Sequence, residues 1–232
     1  MHAMILAAGR GERMRPLTDT QPKPLLKVAG RSLIEWHIKR LVDAGITQVV
    51  INHAWLGGQI EETLGDGRRY GAQITYSAET TALETAGGIA KALPQLGNDP
   101  FLVLNGDVWC DWNPAQAADV ASMLRARSLQ AWLLLTDNPA HHPDGDFSLG
   151  ADGVLSDAQP ADTLTFTGIG VYCPELFAAT PTDQPAPLAP LLYEAIRQRR
   201  VVGEHYNGLW MDVGTPQRLA ELDSLLASGP AL

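Results

Sequence analysis

The chain has 232 residues, 45% of them apolar and 19% charged, which is ordinary globular composition and enough for one sizeable domain. Its 26 acidic and 17 basic residues leave a net charge of -9, which argues against a general binder of nucleic acid, since that needs a basic face to neutralise phosphates. No apolar run approaches the roughly 20 residues of a membrane span, the apolar N-terminus is too short for a secretory signal, and two cysteines, Cys110 and Cys173, cannot build a disulfide framework or a zinc site.

A reduced, cytoplasmic setting is therefore expected. The charge is uneven along the chain. Residues 1–27 hold Arg10, Arg13, Arg15, Lys23 and Lys27 against only Glu12 and Asp19, although the chain as a whole is acidic. A basic segment in an acidic protein suggests a local anion site.

Met4–Ala8 is a short apolar run ending at Gly9, as in a buried strand followed by a glycine turn. Ser32–Ala44 has helical spacing, with Ser32 as N-cap, Glu35 three residues on and Gly45 as the stop. Strands are expected at Gln48–Ile51, Gln73–Tyr76, Phe101–Leu104 and Gln130–Leu135. Helices are expected at Leu56–Leu64, Thr85–Leu93 and Ala115–Arg127. Alternating strands and helices imply an α/β fold, doubly wound around a parallel sheet with helices on both faces. After Asp137 the pattern changes to short strands at Phe147–Leu149, Gly153–Leu155 and Leu164–Tyr172, with helices at Ala189–Arg200 and Pro216–Leu226. The expected organisation is a single domain over 1–232, with a first part at 1–136 and a second at 137–232. Thr180–Pro190 is Pro-rich and reads as a surface connection.

Four stretches carry candidate chemistry. The loop Gly9-Arg10-Gly11-Glu12-Arg13-Met14-Arg15-Pro16 follows the first strand, where open α/β sheets bind ligands, and its glycines let backbone N–H groups approach phosphate closely. Met14 stands where a dinucleotide fingerprint has its third glycine, and a Walker Gly-Lys-Ser/Thr is absent. The bland alternative is a turn with surface arginines. Lys23, between Pro22 and Pro24, sits on stiff extended backbone that can present an ammonium to a phosphate. Asp107 closes the most hydrophobic strand, where a carboxylate can hold Mg2+. Asp212 precedes Thr215-Pro216, a good helix start. Taken alone, Lys23 also fits a solvated surface residue, and Asp107 and Asp212 fit ordinary turn aspartates.

In this order the motifs become specific. Leu6-Ala7-Ala8-Gly9-x-Gly11-x-Arg13-Met14-x-Pro16-Leu17-Thr18, then Pro22-Lys23-Pro24-Leu25, Asn105-Gly106-Asp107 and Trp210-x-Asp212-Val213-Gly214-Thr215-Pro216 resemble the sugar-1-phosphate nucleotidyltransferase family over about residues 3–227. The resemblance implies its Rossmann-like nucleotide-diphospho-sugar transferase fold, a mostly parallel mixed sheet in a three-layer α/β/α arrangement with a small antiparallel sugar-binding part. It implies transfer of a nucleotidyl group from a nucleoside triphosphate to a sugar 1-phosphate, with release of pyrophosphate. By the family pattern Asp107 and Asp212 hold Mg2+, Arg13 and the Gly9–Arg13 backbone neutralise the pyrophosphate, and Lys23 stabilises the transferred group. Ala7, Ala8, Gly9, Gly11, Glu12, Glu79, Gly87 and Gly88 complete the expected nucleotide site. Asn105, Gly145, Asp146, Thr167 and Gly168 make the expected sugar site.

Three departures stand out. Glu12 replaces a common Thr or Ser. The family's Glu-Lys-Pro run, whose lysine grips the sugar phosphate, has Ala158-Gln159-Pro160 as its counterpart, and no lysine follows Lys91. No C-terminal β-helix or acetyltransferase extension is expected, as in a minimal single-activity form. The short length, the Gly-Glu-Arg-Met-Arg-Pro-Leu-Thr-Asp loop, the missing lysine and Thr85-Ala86-Gly87-Gly88 are most similar to members that use UTP and N-acetylmuramic acid α-1-phosphate in peptidoglycan recycling. Mannose-1-phosphate guanylyl transfer and glucose-1-phosphate uridylyl or thymidylyl transfer remain alternatives. A glycosyltransferase is a more remote one, since Asp144-Gly145-Asp146 supplies an Asp-x-Asp triplet. A non-catalytic nucleotide-binding subunit would have lost some of the charged residues. No nucleic acid or membrane partner is expected, and the chain is expected to be a monomer or weak homo-oligomer. His141-His142 reads as a polar turn, and Trp109 and Trp112 as packing beside the site.

Overall fold

A computed structural model describes residues 1–157 and 163–228. Ala158-Gln159-Pro160 lies outside the described residues. Alternation along β1 (His2–Leu6) sends Ala3 and Ile5 to one face and Met4 to the other, and all three are fully buried. A strand covered on both faces belongs inside a parallel sheet. A small hairpin follows, β2 (Lys27–Val28) with β3 (Arg31–Ser32). α1 (Leu33–Asp43) begins on a complete capping box: the Ser32 hydroxyl accepts from the Glu35 N–H, and the Glu35 carboxylate accepts from the Ser32 N–H. The doubly wound part continues through β4 (Gln48–His53), α2 (Gly57–Leu64), β5 (Gln73–Ala78), α3 (Glu84–Leu96) and β6 (Phe101–Asn105).

β5, β4, β1 and β6 are neighbours in that order and all run parallel. The chain moves outward from β1 to β4 and β5, then crosses back to β6 on β1's other side. The topological switch point therefore lies between the carboxyl ends of β1 and β6, where such sheets bind ligands. One core cluster packs Ile34, Ile60 and Leu124 of the first helical layer on the sheet. A second packs Ile89 and Leu192 on the opposite face.

The remaining elements are β7 (Val108–Cys110), α4 (Ala117–Ala126), β8 (Ala131–Thr136), β9 (Phe147–Leu149), β10 (Leu155–Asp157), β11 (Thr163–Tyr172), α5 (Leu188–Arg197), β12 (Val201–His205), β13 (Trp210–Asp212) and α6 (Pro216–Ser228). β11 pairs antiparallel with both β6 and β8, and β12 lies parallel to β8. β8 comes from the first 136 residues yet is flanked by two strands of the second part, so one sheet runs through both. β9 and β10 extend the start of β11. The fold is the expected mixed, mostly parallel sheet between helical layers, with small antiparallel additions.

Five strands escape sequence reading: β2, β3, β7, β12 and β13. The two-residue and three-residue strands are too short to show periodicity. They matter, because β7 and β13 pair antiparallel and a third core cluster of Val28, Leu33, Trp109, Val213 and Leu222 packs α6 beneath them. No helix among the described residues is long and apolar enough to cross a membrane.

Candidate active site

The loop after β1 is held open by glycine. Gly11 has φ of 66°, a left-handed conformation, and a Cβ there would lie 3.0 Å from the Thr18 methyl and 3.1 Å from Lys23 Cβ. Its carbonyl accepts from the Thr18 hydroxyl at 2.7 Å and from the Met14 N–H at 3.0 Å. A Cβ on Gly9 would meet nothing within 4 Å and would project into open space. Arg10 stacks on Trp55 at 3.8 Å and donates to the Thr18 carbonyl at 2.8 Å, and both Arg10 and Arg15 reach Asp19. Among the described residues Arg13 has no hydrogen-bonded or ion-paired partner. It is the loop's uncommitted cation.

Gly106 brings Asp107 to the switch point. Its N–H donates to the Leu6 carbonyl at 2.8 Å, and a Cβ there would lie 2.6 Å from that oxygen. Only glycine lets the chain after β6 cross so close to the end of β1. Asp107 then meets Lys23, whose Nζ lies 2.5 Å from Asp107 Oδ2 and whose side chain is 9% exposed. Asp212 ends β13 opposite Val108, and the Val213 N–H donates to the Asp107 carbonyl at 2.9 Å. The two carboxylates thus stand at one end of a short two-stranded ladder. Arg218 Nη1 lies 2.8 Å from Asp212 Oδ2 and 2.8 Å from His141 Nε2.

Two cavities meet here. One, of about 490 Å3, is lined by Ala7, Ala8, Gly9, Gly11, Glu12 and Arg13 along the loop, with Lys23, Asn52, Glu84, Thr85 and Gly214. The other, of about 400 Å3, is lined by Asp146, Gly168, His141, His142, Trp210 and Asp212 among others. Arg13, Asn105 and Asp107 line both. These shared residues mark where two ligands in adjoining cavities would meet.

Glu79, Gly87 and Gly88 do not line either cavity. Glu79 is buried with both carboxylate oxygens engaged: Oε1 accepts from Asn52 Nδ2 at 2.7 Å and Oε2 from the Leu83 N–H at 2.8 Å. Asn52 Oδ1 in turn accepts from the Ala7 N–H at 3.0 Å. Glu79 therefore braces the wall through Asn52, where direct contact with a base was the expectation. A Cβ on Gly88 would sit 2.7 Å from Glu79 Oε1, so that glycine makes room for the brace. The Gly87 N–H and the Ala86 N–H both donate to the Ala186 carbonyl, so the 184–186 segment caps the start of α3. These donors are spent inside the protein.

The second cavity also differs in detail. Thr167 is fully buried; its hydroxyl donates to the Leu134 carbonyl at 2.8 Å, and its own carbonyl accepts from Trp210 Nε1 at 2.9 Å. It shapes the wall without offering a polar group. Gly168, with φ of 81°, sits in the irregular stretch of β11 against the side chain of Asn105. Asp146 accepts from the Phe166 N–H at 2.8 Å and faces His142 Nε2 at 3.1 Å. Gly145 is not part of the lining. His141, expected only in a polar turn, stands 3.5 Å from Asp212 Oδ2.

Sequence reading missed Asn52, His141 and Arg218. Each looks like an ordinary polar residue until the fold brings it to the site. Trp109 and Trp112 are buried as expected, with Trp109 edge-on to Trp36 at 5.4 Å. Burial pushes the Cys110 thiol up to about 11, so it stays protonated and inert.

The carboxylates fit a divalent cation of the Mg2+ type. Such an ion is held by one or two carboxylates with substrate phosphates and water completing its shell. Asp107 and Asp212 supply two carboxylates beside one pair of strands, and both line the second cavity. Among the described residues no cluster of three or more His, Cys, Asp or Glu could hold a metal alone.

Residues 2–144 match the nucleotidyl transferase family. The chain is 56% identical over 97% of its length to the N-acetylmuramate alpha-1-phosphate uridylyltransferase of Neisseria meningitidis serogroup B, of which it covers 98%. It is 37% identical over 97% of its length to the enzyme of that name from Caulobacter vibrioides, covering 96% of it. A crystal structure from Bacillus anthracis, described as a glucose-1-phosphate thymidylyltransferase in complex with a sucrose, superimposes with a TM-score of 0.84. That alignment covers 99% of this chain and 97% of the other, at 20% identity, and speaks to the fold.

Proposed function

The chain belongs to the nucleotidyl transferase family, and on that premise we propose that it transfers a uridylyl group from UTP to N-acetylmuramic acid α-1-phosphate, releasing pyrophosphate and supplying a UDP-sugar for cell-wall recycling. The observation that carries this reading is the pair of cavities joined at Arg13, Asn105 and Asp107. A triphosphate in the first and a sugar 1-phosphate in the second would bring the α-phosphorus and the attacking phosphate oxygen together at that junction. The near full-length identity to two uridylyltransferases supports the choice of base and sugar.

The obstacle to this reaction is repulsion between anions, so catalysis reduces to positioning and charge neutralisation. The attacking phosphate is ionised at neutral pH, and no general base is required. The Gly9 and Gly11 turns let backbone N–H groups face the triphosphate. Arg13, without a hydrogen-bonded or ion-paired partner among the described residues, neutralises the departing pyrophosphate. Lys23, nearly buried beside Asp107, stabilises charge on the transferred phosphoryl group. Asp107 and Asp212 would hold Mg2+, which would supply neutralisation of phosphate charge. Asn52, fixed by Glu79 and by the Ala7 N–H, forms the base-side wall. Cytoplasmic substrates suit a protein with two buried, free cysteines.

The test is an assay of UTP, dTTP and GTP against the 1-phosphates of N-acetylmuramic acid, N-acetylglucosamine, glucose and mannose, with pyrophosphate measured. UTP with the muramic sugar should be fastest. Consumption of a nucleotide sugar without pyrophosphate release would make the protein a glycosyltransferase instead.

A further inference from the structure

The second cavity has to accept a phosphate dianion although Asp107, Asp146 and Asp212 line it. Lys23 is tied to Asp107. Arg13 serves the junction with the first cavity. Of the arginines beyond Lys91, Arg125, Arg197 and Arg199 pair with Glu175, Glu194 and Asp152 on the exposed surface. Arg218 is different. Its side chain is 15% exposed, and α6 carries it to the site from a first turn in which the Arg218 N–H donates to the Thr215 hydroxyl at 3.3 Å.

Arg218 lines neither cavity itself, and its guanidinium stands against residues that line both. Nη1 contacts Asp212 Oδ2 and His141 Nε2, both in the second cavity wall. A Cβ on Gly214, which lines the first cavity, would sit 2.5 Å from Arg218 Nη2 and 3.1 Å from Arg13 Nη2. Two guanidinium groups and the Asp212 carboxylate therefore crowd around one glycine. These two cations oppose the Asp107, Asp146 and Asp212 carboxylates of the second cavity and suit an incoming phosphate. Asp212 is also a carboxylate that a divalent cation would engage, and that would release Arg218 Nη1 toward solvent and substrate.

We propose that Arg218 binds the phosphate of the sugar 1-phosphate, exchanging Asp212 for phosphate oxygens. A guanidinium fork matches phosphate geometry bidentately. This rests on the nucleotidyl-transfer reading above, and in that reading Arg218 is the sugar-side counterpart of Arg13 on the pyrophosphate side.

The test compares equilibrium binding of UDP-N-acetylmuramic acid and of UMP, by calorimetry in the presence of Mg2+, for wild type, Arg218→Ala and Arg218→Lys. The two ligands differ by the phosphate and the N-acetylmuramyl group that came from the sugar 1-phosphate. Arg218→Ala should weaken UDP-N-acetylmuramic acid by about tenfold to a hundredfold and leave UMP unchanged, which also shows the variant is folded. Arg218→Lys should fall between them. In turnover, the KM for the sugar 1-phosphate should rise while the KM for UTP and the Mg2+ requirement hold. Equal losses for both ligands, or a raised Mg2+ requirement with an unchanged sugar KM, would reduce Arg218 to a prop for Asp212 and overturn the proposal. Failure of the wild type to bind UDP-N-acetylmuramic acid would overturn the substrate reading, and the proposal with it.

Discussion

Lys23 and Asp107 lie 84 residues apart in the chain, and their charged atoms meet at 2.5 Å. Lys23 is nearly buried and Asp107 is 38% exposed on its side chain, so the pair faces the cavity from one side only. An ammonium and a carboxylate at this distance act as a unit: each sets the position of the other before substrate arrives. Lys23→Ala and Asp107→Ala should each cut turnover by about a hundredfold or more while the melting temperature stays near that of wild type. The double variant should be little worse than either single one, because each change already disables the pair. Additive losses in a kinetic double-mutant cycle would mean that the two groups work independently.

Asp212 should fail in a different way. Its carboxylate neutralises Arg218 and stands opposite Val108, next to Asp107. Asp212→Ala should abolish measurable Mg2+ binding by calorimetry and cut turnover by orders of magnitude, like the loss of any metal-holding carboxylate. Near-normal activity in Asp212→Ala would remove it from the metal site.

The glycines of the first loop separate folding from binding. Gly11 combines φ of 66° with close neighbours on two sides. Gly11→Ala should therefore cost about 1–2 kcal/mol of stability, read by chemical denaturation. Gly9 has open space where a Cβ would go. Gly9→Ala should melt like wild type but raise the KM for the nucleoside triphosphate, because the added methyl enters the phosphate side of the cavity. Equal destabilisation of the two variants would contradict this division.

Glu79 illustrates how far the sequence carries and where it stops. Periodicity placed nearly every long strand and helix, because a buried strand or an amphipathic helix writes its environment into its own residues. The capping box at Ser32 and Glu35 was legible because both its halves lie within one turn. The family resemblance puts Glu79 in the nucleotide site, but its hydrogen-bond partners are Asn52 of β4 and the Leu83 N–H before α3. The same holds for Asp107 and Asp212, which are brought together by two distant three-residue strands without local signal. His141 and Arg218 carry no motif at all and acquire meaning only at 2.8 Å from each other.

That geometry makes Glu79 testable. Both its oxygens accept from protein donors, and a glutamine side chain offers only one acceptor oxygen. Glu79→Gln should leave either Asn52 or the Leu83 N–H facing an N–H group. The expected cost is about 1–3 kcal/mol of stability together with a raised KM for the nucleotide, since Asn52 lines the cavity. Unchanged stability would place a base, not the protein, as the main partner of Glu79.

The last prediction concerns pH. His37 is fully buried beneath the Asp107 loop, and burial together with the Arg40 guanidinium holds its imidazole down at about 4, against the opposing pull of the Asp107 carboxylate and a backbone hydrogen bond with Val108. In the unfolded chain the same group titrates near its ordinary value of 6.5. Below pH 6.5 the unfolded state takes up a proton that the native state refuses, so stability falls as pH falls, and the loss continues down to about pH 4. The gap corresponds to roughly 3 kcal/mol across that window. Urea denaturation at pH 7.5 and at pH 5 should show the wild type losing stability on acidification. His37→Gln, which has no proton to gain, should show a smaller loss over the same interval, whatever its stability at pH 7.5. An identical slope in the two proteins would mean that His37 is protonated in the native state and that another group governs the acid limb.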